Sequence, residues 1–96
     1  MAKVIWAPSA LTDIDSIATY IARDSVHHAS LFIDRLFETA DRLIQNPLSG
    51  HIIPEIGKDD CREIIYGSYR IMYRIHKNEV WINAVIHGAR NWKPPV

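Results

Sequence analysis

The chain has little of what would send a protein out of the cell or hold it in a bilayer. Its 96 residues include one cysteine, Cys61, which excludes an internal disulfide. The sequence reads as having neither an N-terminal signal peptide nor a long apolar span. These absences predict a cytoplasmic protein with no membrane partner. Charge of one sign is missing too: eleven Lys and Arg balance eleven Asp and Glu, which argues against binding nucleic acid through overall charge. Glycines number four and prolines five, and no repeat, linker or low-complexity stretch divides the chain. His27-His28, His51 and Cys61 lack a metal-ligand spacing, and no phosphate-binding glycine loop or nucleophile elbow occurs. No metal and no cofactor is expected.

What remains is enough for one core. Hydrophobic residues make up 48% of the chain, which suits a single domain over residues 1–96 with no room for a second. The neutral total conceals an asymmetry: five basic against nine acidic residues in 1–60, then six against two in 61–96, so the halves stand at −4 and +4. The basic character lies in the C-terminal part.

The run from Tyr69 to Arg90 reads as a β-hairpin, because β-branched and aromatic residues dominate two arms separated by the polar Lys77-Asn78-Glu79. Alternation places Tyr69, Ile71, Tyr73 and Ile75 inward, with Arg70, Met72, Arg74 and His76 on the other face. In the second arm Val80, Ile82, Ala84 and Ile86 are assigned inward, and Trp81, Asn83, Val85 and His87 outward. Two strands alone are marginal in water, so the preceding chain must cover them.

That preceding chain begins with a short strand, Lys3 to Ala7, ended by Pro8. Leu11, Ile14, Ile17, Ala18 and Ile21 then recur at helical spacing, predicting a first helix to about Arg23. Ser25 is a candidate N-cap for a second helix with an apolar stripe from Ala29 to Ile44, stopped by Asn46-Pro47. Residues 47–60 read as a long surface loop, Arg62 to Tyr66 as a strand, and Gly67-Ser68 as the turn into Tyr69. The predicted fold class is α+β, in the order β-α-α-β-β-β, with a two-helix hairpin packed on one face of a mostly antiparallel four-stranded sheet. The opposite face would be uncovered and would carry Arg70, Arg74 and Arg62.

Several local patterns fall in a suggestive order: Trp6-Ala7-Pro8-Ser9-Ala10, Ile17-Ala18 with Tyr20-Ile21, Asn46-Pro47, Arg62-Glu63, Tyr69-Arg70-Ile71-Met72-Tyr73, and Val85-Ile86-His87-Gly88-Ala89-Arg90. Together they resemble the bacterial RelE/ParE toxin superfamily, the toxin halves of type II toxin–antitoxin (plasmid stabilisation) modules, over nearly the whole chain. The resemblance implies a cognate antitoxin that folds as it wraps the toxin in a hetero-oligomer. It also implies one of two activities. RelE-like members are ribosome-dependent mRNA endonucleases, whose cations stabilise charge on the phosphate while another group takes a proton from the 2′-hydroxyl. Matching residue by residue, Arg70 and Arg90 correspond to the two arginines, and His87 could serve as base. The lysine positions fall at about Cys61 and Glu63, and the C-terminal tyrosine near Val96. Tyr69-Arg70-Ile71-Met72-Tyr73, His87-Gly88-Ala89-Arg90 and the missing lysines look more like the ParE branch, which inhibits DNA gyrase without a catalytic group of its own. Candidate partner-binding residues are then Arg62, Arg70, Arg74, His87, Arg90 and Trp92. A third expectation is a non-toxic homologue that only binds the antitoxin.

Overall fold

Pro8 opens α1 (Pro8–Ala22) where its missing N–H has no helical partner to lose, and the preceding Ala7 is extended. The computed structural model describes residues 1–95, so the position matched to a C-terminal tyrosine, Val96, lies outside the described residues. In α1 the buried positions are Ala10, Ile14 and Ala18, with Ile17 and Ile21 half-buried beside them. Leu11, placed on the stripe by its spacing, instead faces solvent. Ser25 caps α2 (Val26–Gln45) by accepting the His28 N–H at 3.1 Å. Phe32, Leu36, Ala40 and Leu43 form the buried ridge of that helix, which ends one residue before Asn46-Pro47.

The strands are β1 (Lys3–Trp6), β2 (His51–Ile52), β3 (Cys61–Tyr66), β4 (Tyr69–His76) and β5 (Glu79–His87). They form one sheet in the order β1-β5-β4-β3-β2. Only β1 runs parallel to its neighbour, pairing Lys3 with Glu79 and Trp6 with Ile82. The sheet therefore has five strands rather than four. The extra one, β2, lies in the stretch read as loop: a 3₁₀ turn at Pro47–Ser49 returns the chain so that His51 and Ile52 pair with Glu63 and Arg62. Two residues carry no periodicity, so sequence pattern cannot reveal such a strand.

A second correction concerns β5. Met72 pairs with Ala84 but Tyr73 with Ile82, which leaves Asn83 without a partner on β4. This is a β-bulge, and one extra residue reverses which face every later side chain takes. Val80, Ile82 and Val85 thus belong to the core under the helices, whereas Ala84 and Ile86 turn to the opposite face. Helix α1 holds the bulge in place. The Ser9 hydroxyl donates to the Asn83 carbonyl at 2.7 Å, and the Asp13 carboxylate accepts the Val85 N–H at 3.0 Å.

The main core lies between the helices and the sheet, where Leu36, Leu43, Ile71, Val80 and Ile82 are fully covered. Each such side chain contributes about 1.5–3 kcal/mol by leaving water. The opposite face is not bare, contrary to the expectation from strand alternation. Ile53, Met72 and Ile86 form a second buried cluster there, with Ile56, Cys61, Ala84 and Trp92 packed against it. The β2–β3 connection and the C-terminal tail fold back to supply that cover.

Candidate functional site

Register places three rows of side chains across this second face. Arg74 stands between Cys61 and Trp81, Met72 between Glu63 and Ala84, and Arg70 between Ile65 and Ile86. Between the rows and the folded-back segments lies a cleft of about 450 Å³. Met72, Ala84 and Ile86 line it from the sheet, Ile53 and Ile56 from the connection, and Trp92 and Pro95 from the tail. Arg74, Arg90, Ser9 and Asp13 also border it.

The predicted site residues divide into two groups. Arg70 and Arg62 are engaged internally. The Arg70 guanidinium bonds Glu63 at 2.6 Å and grips both oxygens of Glu55 at 2.7 Å, with its side chain only 12% exposed. Glu63, 5% exposed, also meets His51 Nε2 at 3.0 Å. Arg62 pairs with Tyr73 and so leaves the sheet on the helix side rather than on the second face expected for it; it donates to the carbonyls of Asp59 and Gly50, each at 2.9 Å, and ties the chain entering β2 to the end of the β2–β3 connection. Arg74, Arg90 and Trp92 form the second group, on the cleft. Arg74 is 60% exposed and holds Asp60 at 3.3 Å; Arg90 is exposed, and Trp92 is half-buried.

His87 joins neither group. Its ring meets Tyr69 edge-on, at 5.3 Å between centroids, and Tyr69 packs against Phe32 of α2. It therefore lies on the helix side of the sheet, where its Nδ1 accepts the Ala89 N–H. The structure does not bring Arg70 and His87 together. Their side chains leave opposite faces.

Sequence reading missed Glu55, Glu63 as an ion-pair partner, Asp13, and the Tyr73 hydroxyl. Tyr73, 1% exposed, donates to the Pro47 carbonyl at 2.7 Å and accepts the Gly50 N–H at 3.0 Å. Burial pushes its phenol pKa up. Burial likewise raises the Cys61 thiol pKa, with the Asp60 carboxylate beside it adding to the effect, and the side chain packs against the second cluster. No group of three or more His, Cys, Asp or Glu among the described residues is placed to hold a metal ion. No described helix is long and apolar enough to cross a membrane.

The Glu55–Arg70 grip makes the connection acid-sensitive. Hydrogen bonding to Arg70, against a smaller desolvation effect, lowers the Glu55 carboxyl from 4.5 to about 2. A carboxyl whose folded pKa is depressed stabilises the fold fully above its unfolded pKa and loses that contribution as pH falls through the folded value. The thermal midpoint of the native chain should therefore drop between pH 4.5 and about 2 more steeply than that of Glu55→Gln. Parallel acid titrations of the two proteins would show this. Superimposable curves would mean that Glu55 stays solvated in the folded state.

The two-helix hairpin on one face of a mixed sheet is an α+β fold shared with chains of solved toxin–antitoxin systems. Residues 4–92 match the family described as the ParE toxin of type II toxin-antitoxin system, parDE, and the chain belongs to that family. It is 32% identical over 92 residues to Y4kP of Sinorhizobium fredii, a protein named as a toxin, covering 94% of this chain and 92% of that one. Its fold is shared with a chain of the chromosomal ParDE toxin–antitoxin system of P. aeruginosa, with a TM-score of 0.74 at 19% identity over 91% of this chain and 96% of that one. The RelBE2 toxin–antitoxin complex of Mycobacterium tuberculosis is more distant, with a TM-score of 0.58 at 18% identity over 90% and 96% of the respective chains.

Proposed function

We propose that this ParE-family toxin acts in the cytoplasm by inhibiting DNA gyrase and is kept silent by a cognate antitoxin, with no catalytic group of its own. The observation that carries this reading is the state of Arg70. A nuclease would need that cation free to meet a phosphate, yet Glu55 and Glu63 neutralise it at 2.6–2.7 Å. Glu63 stands where the nuclease pattern has a lysine, and His87, the candidate base, is on the far side of the sheet. Without a convergent set of groups the second face is better suited to binding than to cutting. Arg74, Arg90 and Trp92 are its proposed partner contacts, while Arg62 and Arg70 shape the segment beside them. An apolar cleft bordered by the exposed Arg74 and Arg90 also suits an acidic antitoxin segment that orders on binding.

Pulse labelling of DNA and protein synthesis, just after the chain is induced without an antitoxin, tests the proposal. DNA synthesis should fall first. Collapse of protein synthesis while DNA synthesis persists would overturn the gyrase reading in favour of RNA cleavage. No change in either, with folded protein accumulating, would leave only an antitoxin-binding role.

A further inference from the structure

We propose that the cleft on the second sheet face binds a small amphiphilic anion: a free carboxylate or sulfonate carrying an apolar body of one or two rings. This goes beyond the toxin reading and does not depend on gyrase being the target.

The volume of about 450 Å³ falls in the range of small-molecule sites, about 300–1,000 Å³. Met72 and Ile86 form its nearly fully buried base, and Ala84, Ile56 and Trp92 complete an apolar lining. The polar lining holds two guanidiniums, of which Arg90 is without an ion pair among the described residues and Arg74 is only partly engaged. Asp13 gives Oδ2 to the Val85 N–H but keeps its charge on the lining, while Asp60 meets Arg74 through Nε alone at 3.3 Å and leaves the two terminal nitrogens of that guanidinium without a side-chain partner among the described residues. An apolar ligand alone would strip water from these guanidiniums with nothing in return. A single anionic group answers that cost, since a guanidinium forks onto two oxygens of a carboxylate or sulfonate. A polyanion fits less well, with only two cations and the Asp13 carboxylate on the same lining.

The test uses two probes with the same ring system. 8-Anilinonaphthalene-1-sulfonate has the charge, and N-phenyl-1-naphthylamine lacks it. Titrated into the intact chain, the sulfonate should bind saturably at one site per chain and more tightly than the neutral amine. In Arg74→Ala/Arg90→Ala its affinity should fall by about tenfold or more while the amine is unaffected. Ala84→Phe, which fills the cleft, should weaken both probes. Unchanged thermal midpoints and near-ultraviolet circular dichroism verify that each variant is folded, and the arginine pair decides the matter if Ala84→Phe is not. Binding at several sites per chain, equal affinity for both probes, or indifference of a folded arginine double variant to the sulfonate would each overturn the proposal.

Discussion

Arg70→Ala is expected to lower the unfolding free energy by about 3–5 kcal/mol, the loss typical of breaking one side of a buried ion pair. The side chain sits on a strand face that sequence alternation marks as solvated, yet it is 12% exposed and makes three charged hydrogen bonds. Glu63 dominates the cost. With its side chain 5% exposed it would be left with only His51, whose side chain is 62% exposed, while its own desolvation remained. Glu55 would lose both of its contacts, and the connection that carries Ile53 and Ile56 over the second face would lose its anchor. Urea denaturation measures this as a lower midpoint with little change in slope. Arg70→Met/Glu63→Leu should recover most of the loss, because apolar side chains of similar size need no partner there. Arg74→Ala, at a 60% exposed pair, should cost no more than about 1 kcal/mol. An Arg70→Ala protein within 1 kcal/mol of the native chain would show that the network contributes little.

That result bears directly on how toxicity is read. Growth inhibition lost in Arg70→Ala should return in Arg70→Met/Glu63→Leu if Arg70 acts through the fold. Failure of a folded double variant to inhibit growth would make the guanidinium itself a contact to the target. Arg74→Ala and Arg90→Ala alter exposed cations on the cleft, so their effects on toxicity should appear with a stability loss of no more than about 1 kcal/mol.

Much of the fold was legible because local signals and tertiary packing agree. Pro8, Ser25 and Asn46-Pro47 mark the helix ends by backbone chemistry, and the amphipathic stripe of α2 points Phe32, Leu36 and Leu43 into the core. The ion pair between Glu63 and Arg70 was also legible in principle. A two-residue turn at Gly67-Ser68 sets Tyr66 against Tyr69, so Glu63 falls opposite Met72 and diagonal to Arg70 on the same face. Glu55 was not, since it reaches Arg70 from a connection whose path no periodicity sets. Nor was the reversal of Ala84 and Ile86, because the bulge at Asn83 depends on Ser9 and Asp13, more than seventy residues away in sequence. The cleft was invisible for the same reason: its base needs the reversed register and its walls need the folded-back connection and tail.

Gly50→Ala is expected to be as damaging as the loss of Arg70, for a reason that lies in space rather than charge. The backbone at Gly50 is extended, at φ −75° and ψ 161°, so alanine could adopt it without torsional strain. The obstacle is what surrounds the new methyl group. It would press into the Glu63 carbonyl oxygen and lie 2.5 Å from the Tyr73 hydroxyl, neither of which is the loose end of a flexible side chain. Either β2 moves off β3, or Tyr73 gives up its bonds to the Gly50 N–H and the Pro47 carbonyl. Overpacking of this kind costs about 1–3 kcal/mol, and a buried donor left unpaired adds about 1–3 more. Displacement would also carry off the Gly50 carbonyl that receives Arg62, loosening the hold of β3 on the chain entering β2. Tyr73→Phe separates the two contributions. Alone it should cost about 1–3 kcal/mol by orphaning the Gly50 N–H. Combined with Gly50→Ala it should cost less than the sum, because the hydroxyl that the methyl would meet is gone and only the Glu63 carbonyl remains in its way. Strict additivity in urea denaturation would show that the methyl never meets the hydroxyl, and that β2 gives way first.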